Sequence, residues 1–120
     1  MPVRKARFDP AGGVLSVAVA CTPNLPGAYT VKLWGAEVNK LVKQWEGNFI
    51  NTDDDSHRLP RPVKSNDGRL VQALITMAAG PCRATFTVSQ GEYLLTEASA
   101  DFPAGGIGLT ANLFFALEAR

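Results

Sequence analysis

Histidine and cysteine, the residues that most often carry catalysis or hold a metal, are scarce in this sequence. The chain has one histidine, His57, and two cysteines, Cys21 and Cys82, among 120 residues. A catalytic cysteine needs a nearby base and a closed zinc site needs four ligands, and no paired-cysteine spacing is present. The nucleophile turn Gly-x-Ser-x-Gly is absent, and Gly105–Gly108 lacks the lysine of a phosphate-binding loop. We therefore expect no enzyme, and we expect His57 to lie in a polar loop without a partner for chemistry.

A strong charge of either sign is missing as well. The chain has 12 lysines and arginines against 11 acidic residues, so no global field attracts nucleic acid or an anionic membrane. The one basic cluster, Arg4, Lys5 and Arg7, is equally well explained as a terminal strand with outward charges. No apolar run approaches the length of about 18 residues that a membrane span needs, and no secretory signal is visible. We expect a cytoplasmic protein with no nucleic-acid or membrane partner.

Alternation of apolar and polar residues is what the sequence has in abundance. Ala84, Phe86 and Val88 alternate with polar residues between Cys82 and Ser89, which is the pattern of a half-buried strand. Further strand-sized runs occur at Val3–Phe8, Leu15–Cys21, Tyr29–Trp34, Leu70–Ala78, Tyr93–Ala98 and Leu109–Leu117. Turn residues separate these runs at intervals typical of sandwiches and barrels. We predict an all-β fold with a single domain over residues 1–120, a two-sheet antiparallel β-sandwich of about seven or eight strands, immunoglobulin-like or C2-like.

Two segments fit a helix as well as a strand. In residues 38–46 the apolar side chains recur at helical spacing, but Leu41, Lys43 and Trp45 also alternate. The glycines that flank this segment leave room for only about three helical turns. Residues 109–118 are rich in alanine and leucine, which favour helices, yet their apolar residues hold one face of a strand. We predict a strand in both segments.

The two cysteines bracket a tryptophan in an order that resembles immunoglobulin domains. Cys21 is followed by Trp34 and then by Cys82, as the two cysteines and the tryptophan follow one another in that family. The resemblance implies a disulfide between the two sheets. The chain departs from the pattern at Gly80, where the family has the tyrosine of its tyrosine corner. Because no secretory signal is visible, we predict two separate buried thiols.

The longest stretch without clear periodicity is Asn48–Arg69, which we predict to be a loop. Loops of this length are uncommon in compact domains and are often functional or mobile. Oxygen ligands that calcium prefers are concentrated here, although the glycine and distal glutamate of the helix-loop-helix calcium motif are missing. We expect no other cofactor, and we take Asp53, Asp55 and Asp67 as the candidate calcium ligands. A solvated acidic loop is the alternative.

Aromatic residues provide the remaining candidates for a site. Trp34 and Lys32 share the face of their predicted strand that is opposite to its apolar face, so we expect the indole to be partly exposed. Trp45 is expected beside them on the neighbouring strand. Exposed tryptophans anchor protein interfaces and stack on sugars, although a sandwich also buries large residues near its edges.

These features favour a non-catalytic binding or assembly module that acts through protein–protein interaction or self-association. The expected partner is another protein or a second copy in a homo-oligomer. The alternative is a lectin-like or other small-ligand-binding sandwich, assisted by calcium.

Overall fold

The computed structural model describes residues 4–23, 25–35, 37, 40–49, 56–105 and 108–120. Within these residues the chain forms nine strands and one short helix. The strands are β1 Arg4–Phe8, β2 Leu15–Thr22, β3 Gly27–Trp34, β4 Leu41–Asn48, β5 Ser56–Arg58, β6 Leu70–Met77, β7 Cys82–Gln90, β8 Tyr93–Phe102 and β9 Leu109–Ala119. A 3₁₀-helix spans Val63–Asn66. The prediction of an all-β fold is confirmed.

The strands form two packed sheets, as predicted for a sandwich. The five-stranded sheet has the order β1-β9-β6-β3-β4, and the four-stranded sheet has the order β5-β2-β7-β8. Every pairing is antiparallel except that of β1 with β9, which is parallel. The chain passes from one sheet to the other several times, since β2, β5 and the β7–β8 pair lie in the four-stranded sheet and the strands between them lie in the five-stranded sheet.

The core lies between the two sheets and is built from the inward half of each alternating strand. Ala84, Phe86 and Val88 of β7 are fully buried, as their alternation predicts. Across the core, the ring of Phe86 stacks on Phe115 of β9, with 5.3 Å between the ring centroids. Side chains from opposite sheets therefore interdigitate in one continuous core.

Both ambiguous segments are strands. The first one begins later than predicted, at Leu41, while Val38 and Asn39 at its start lie outside the described residues. The second, β9, lies between β1 and β6, so that it bonds to a strand on each side. Hydrogen bonds and packing from two neighbours outweigh the helical propensity of its alanines and leucines.

The predicted loop Asn48–Arg69 contains regular structure, so this prediction is wrong for part of its length. β5 pairs with β2, and the 3₁₀-helix follows it. Asn66 at the end of that helix is fully buried, and its amide donates to the carbonyls of Pro60 and Val63 at 3.1 and 3.2 Å. No helix in the described part of the chain has the length and apolar character that crossing a membrane requires.

Candidate binding surfaces

Trp34 and Lys32 lie side by side on the outer face of the five-stranded sheet, and both are half-buried. The Lys32 ammonium is 5.8 Å from the centre of the indole ring, within the range of a cation–π contact. The indole N–H donates to Gln72 Oε1 at 3.0 Å, and Gln72 Nε2 donates to Asn112 Oδ1 at 3.0 Å. We call Trp34, Gln72 and Asn112 the Trp34 ladder. It fixes the orientation of a partly exposed aromatic ring across three strands.

Trp45 does not join the Trp34 ladder. It lies on β4 opposite Val31, which is fully buried, so its side chain is on the inward face of the sheet. Its ring stacks on His57 at a centroid distance of 5.6 Å, and the Lys43 ammonium is 5.4 Å from its centre. The expectation that the two tryptophans share one surface is therefore not met, because β4 presents Trp45 to the opposite sheet.

His57 belongs to an aromatic cluster that closes the side of the sandwich where β4 and β5 meet. We call Tyr29, Trp45, Phe49 and His57 the histidine cluster. The Tyr29 hydroxyl and His57 Nε2 are 2.7 Å apart, and the rings of Tyr29 and Phe49 are 5.6 Å apart. The cluster joins β3 and β4 of one sheet to β5 of the other.

The prediction of a histidine without a partner is wrong. β5 places His57 opposite Val17, which faces the core, and so turns the imidazole inward. A three-residue strand is too short to show alternation in the sequence, which is why this placement could not be predicted. A tyrosine hydroxyl and an imidazole can exchange a proton, but both rings are packed between neighbours here, which suits a structural role.

The candidate calcium ligands cannot be assembled from the described residues. Asp53 and Asp55 lie outside them. Asp67 uses Oδ1 to accept the backbone N–H of Ala119 at 2.9 Å, which ties the end of the 3₁₀-helix to the end of β9. Among the described residues, no group of three or more histidines, cysteines and acids could hold a metal ion. The calcium site stays a prediction.

The two cysteines are free, as predicted, but they are not separate, and only Cys82 is buried, whereas Cys21 is half-buried. Cys21 pairs in register with Ala84, two residues beyond Cys82 on the same inward side of β7, so the two thiols are near each other. The Cys21 thiol donates to the carbonyl of Pro23 at 3.2 Å, and the Cys82 thiol donates to the carbonyl of Ala79 at 3.8 Å. Burial, together with Cys21, raises the pKa of the Cys82 thiol to about 11. Both cysteines lie in the four-stranded sheet, whereas the immunoglobulin disulfide joins two sheets. The resemblance to that disulfide pattern therefore does not hold.

In the described structure, the edges of the two sheets are β1, β4, β5 and β8, and three of them carry features that discourage another strand from pairing. β5 has three residues and β1 has five, with Arg4, Lys5 and Arg7 in its sequence. β4 has a register shift opposite Leu33 and Trp34, and its Lys43 faces inward. Short length, charge, a bulge and an inward lysine are the usual protections of a sheet edge.

The fourth edge, β8, is long and has few of these features. It has ten residues, none of them proline, lysine or arginine. Beyond a bulge near its start, Thr96–Phe102 follows a regular register with β7. Its inward side chains there include the small and half-buried Ala98 and Ala100. β8 thus offers a long edge with a regular register, on which another strand can pair.

One hydrogen bond shows which backbone groups of β8 point away from β7. Arg4 Nη1 donates to the carbonyl oxygen of Glu97 at 2.7 Å, which places that carbonyl on the side away from β7. In an antiparallel strand, alternate residues direct both backbone groups to the same side. Glu97, Ser99 and Asp101 therefore present their N–H and C=O groups to the open edge.

A cleft of about 500 Å³ lies at the beginning of β8, and we call it the hairpin cleft. Tyr93, Leu94 and Leu95 form its apolar wall, and the side chains of Tyr93 and Leu94 are 78% and 57% exposed. Its charged lining residues are Asp9, Glu92 and Arg120. The cleft is continuous with the open edge, because its apolar wall is the first part of the same strand.

Gln90 holds the floor of the hairpin cleft in place. The side chain is buried, and its Nε2 donates to the carbonyls of Asp9 at 2.7 Å and Gly13 at 3.0 Å. Its Oε1 accepts the N–H of Asp9 at 2.9 Å. All the hydrogen-bonding groups of the amide except one lone pair are thus used to fix the loop between β1 and β2.

Sequence reasoning missed both the open edge and the cleft. The signal available was the run Tyr93, Leu94 and Leu95, which breaks the alternation directly after a turn and accompanies the bulge. Comparison of the chain with protein-family models, curated proteins and solved structures found no match.

Proposed function

We propose that this protein is a non-catalytic binding module that acts through protein–protein interaction, by pairing an extended segment of its partner with the open edge of β8. The observation that carries the proposal is the contrast between β8 and the other three edges. In strand addition, backbone hydrogen bonds supply affinity and alternate side chains supply specificity. The backbone groups that Glu97, Ser99 and Asp101 direct to this edge are suited to the first of these roles, once a partner displaces the Arg4 guanidinium from the Glu97 carbonyl.

The polar side chains outside β8 support a binding role rather than a catalytic one. Gln90, Asn66 and Asp67 each bond to the backbone of their own chain, and each fixes a loop. His57 and Tyr29 bond to one another within the core side of the sandwich. These groups give the module a rigid frame, and rigidity before binding lowers the entropic cost of association.

The proposal can be tested with three short capped peptides as long as the regular part of β8. In each of them valine alternates with one other residue, which is lysine, glutamate or threonine. Fluorescence anisotropy should show binding of at least one peptide. Ser99→Pro removes one N–H on the open side and should weaken that binding by about tenfold or more, since one lost ladder bond alone is worth about 1 kcal/mol and the ring also obstructs the edge.

Ser99→Ala is the matched control, because both variants lose the contact of the Ser99 hydroxyl with Thr85 and only proline loses the N–H. The alanine variant should bind as the native protein does. Sedimentation velocity on the same proteins tests a second copy as partner: a dimer disrupted by Ser99→Pro alone would also support strand addition. Failure of all three peptides, with a monomeric native protein, would contradict the proposal.

A lectin-like function is the second candidate, and the Trp34 ladder favours it. A half-buried indole beside the amide groups of Gln72 and Asn112 and the ammonium of Lys32 can stack on a sugar ring and bond its hydroxyls. A glycan array, probed with and without calcium, tests this candidate. Glycan binding that Trp34→Ala abolishes and Ser99→Pro leaves intact would favour it over strand addition.

A further inference from the structure

We infer that the segment bound at β8 is an extended strand in which apolar residues alternate with lysine or arginine. The inference rests on the proposed function, and it specifies the chemistry of the partner. It depends on the side chains that β8 presents on its two faces and on the residues around the hairpin cleft.

The outward face of β8 is acidic. Glu97, Ser99 and Asp101 follow one another along this face, and all three are exposed. Asp101 already has a partner, because Arg83 donates to it at 2.8 Å from the neighbouring strand. Glu97 lies opposite Thr87, so no cation faces it from β7. A basic residue on an added strand would complete a cross-strand pair with Glu97, and such pairs stabilise a sheet.

The hairpin cleft extends the acidic character toward the start of the strand. Asp9 and Glu92 line it, against one cation, Arg120. Two further cations lie near the open edge: Arg83 is paired with Asp101, and Arg4 is exposed and bonded to the Glu97 carbonyl. An incoming backbone N–H can replace that guanidinium at little cost, because Arg4 regains its hydrogen bonds from water.

The inward face of β8 requires apolar residues on the partner. Ala98 and Ala100 are small and half-buried, and they pack against the core. Apolar side chains on the added strand would cover these alanines and continue the core beyond the present edge. At the start of the strand, the exposed rings and methyl groups of Tyr93 and Leu94 provide a further apolar surface.

A second copy of this chain is less well matched than a basic segment. If β8 of two copies paired in antiparallel fashion about Ser99, Glu97 of each copy would lie opposite Asp101 of the other. Like charges directly opposite one another destabilise a sheet. A basic, alternating segment avoids this repulsion and gains an attraction at the same position.

The peptide panel distinguishes these chemistries. We expect the lysine peptide to bind about tenfold or more tightly than the glutamate peptide at low salt, with the threonine peptide between them. The difference should shrink as salt is added, since the charges involved are exposed. Glu97→Lys should reverse the order of the lysine and glutamate peptides. Glu46→Lys, the same change at an exposed position on β4, should leave the order unchanged.

The outcomes separate this inference from the proposed function. If the three peptides bind equally, or if the glutamate peptide binds best, while Ser99→Pro still weakens binding, then strand addition stands and the basic partner is wrong. If no peptide binds and the protein is monomeric, strand addition itself is wrong. Reversal of the order by Glu97→Lys but not by Glu46→Lys is the result that assigns the preference to β8.

Discussion

His57 shows how one side chain can join the two sheets of this molecule. It lies on the shortest strand of the four-stranded sheet, yet it bonds to Tyr29 and stacks on Trp45, which both belong to the five-stranded sheet. The sandwich is therefore held at this edge by a polar contact inside an aromatic cluster, in addition to the apolar core.

We predict that His57→Ala lowers the free energy of unfolding by about 1–3 kcal/mol, through loss of one hydrogen bond and one ring stack. Urea unfolding measures this change. Tyr29→Phe is the control that removes the hydroxyl and keeps both rings, and it should cost only about 1 kcal/mol. An unchanged unfolding midpoint for His57→Ala would show that the histidine cluster does not stabilise the edge.

The pair of thiols, Cys21 and Cys82, predicts that the free energy of unfolding depends on pH. Burial and Cys21 raise the pKa of the Cys82 thiol from 9.0 to about 11. Between these two pH values the thiol stays protonated in the folded protein but loses its proton in the unfolded chain. Stability from this group is complete below pH 9.0 and decreases as the pH rises toward about 11. The difference in unfolding midpoint between the native protein and Cys82→Ala should therefore narrow over this window. A difference that stays constant across it would contradict the raised pKa.

At the scale of secondary-structure elements, the hairpin of β7 and β8 is connected to the loop between β1 and β2 by the buried amide of Gln90. We predict that Gln90→Ala destabilises the protein by about 1–3 kcal/mol, because it leaves two carbonyls and one N–H of that loop without their partner. Gln90→Glu keeps the length of the side chain but sets a carboxylate oxygen against the carbonyls of Asp9 and Gly13. The loss of stability of Gln90→Glu relative to the native protein should be smaller in acid, where the carboxyl group is protonated.

Urea unfolding at neutral and acid pH tests both substitutions. A Gln90→Ala variant within about 0.5 kcal/mol of the native protein would mean that water replaces the amide without loss. In that case, the floor of the hairpin cleft would be held by the β-strands and not by this side chain.

Most of the strands could be predicted from the sequence, because half-buried strands leave a period of two. β7 shows this most clearly through Ala84, Phe86 and Val88. The 38–46 segment was ambiguous for a physical reason: β4 is an edge strand with Lys43 on its inward face, so its pattern of polarity is mixed. The three residues of β5 leave no period at all.

The candidate site was much less predictable than the fold. The outward placement of Trp34 and Lys32 follows from alternation within one strand. The hairpin cleft, in contrast, joins Asp9, Gln90 and Arg120, which are far apart in the chain, and nothing in a local pattern brings them together. An open sheet edge is likewise a property of strand order, which the sequence does not display.

At the scale of the whole molecule, the two sheets should unfold as one unit, because Phe86 of one sheet stacks on Phe115 of the other within a single core. We predict that Phe86→Ala costs about 3–5 kcal/mol, a large share of the stability of a domain of this size. Phe114 is next to Phe115 but lies half-buried on the outer face, and Phe114→Ala should cost less.

Tryptophan fluorescence and far-ultraviolet circular dichroism should report the same urea transition for each variant. Trp34 lies on the outer face of the five-stranded sheet and Trp45 contacts His57 of the other sheet, so tryptophan fluorescence reports the five-stranded sheet and this one contact, whereas the dichroism reports both sheets. Two transitions at different urea concentrations would show that the sheets unfold separately.

The unequal protection of the edges also limits how many chains can assemble. A filament built by strand pairing needs each subunit to present two free edges, one for the subunit ahead and one for the subunit behind. In the described structure, β4 and β5 close one side of the sandwich with an inward lysine and a three-residue strand, and only β8 on the other side is long and unguarded. Growth by this route therefore stops after a single pairing event. The complexes we expect have a fixed stoichiometry of one segment per chain, and they stay finite at any protein concentration.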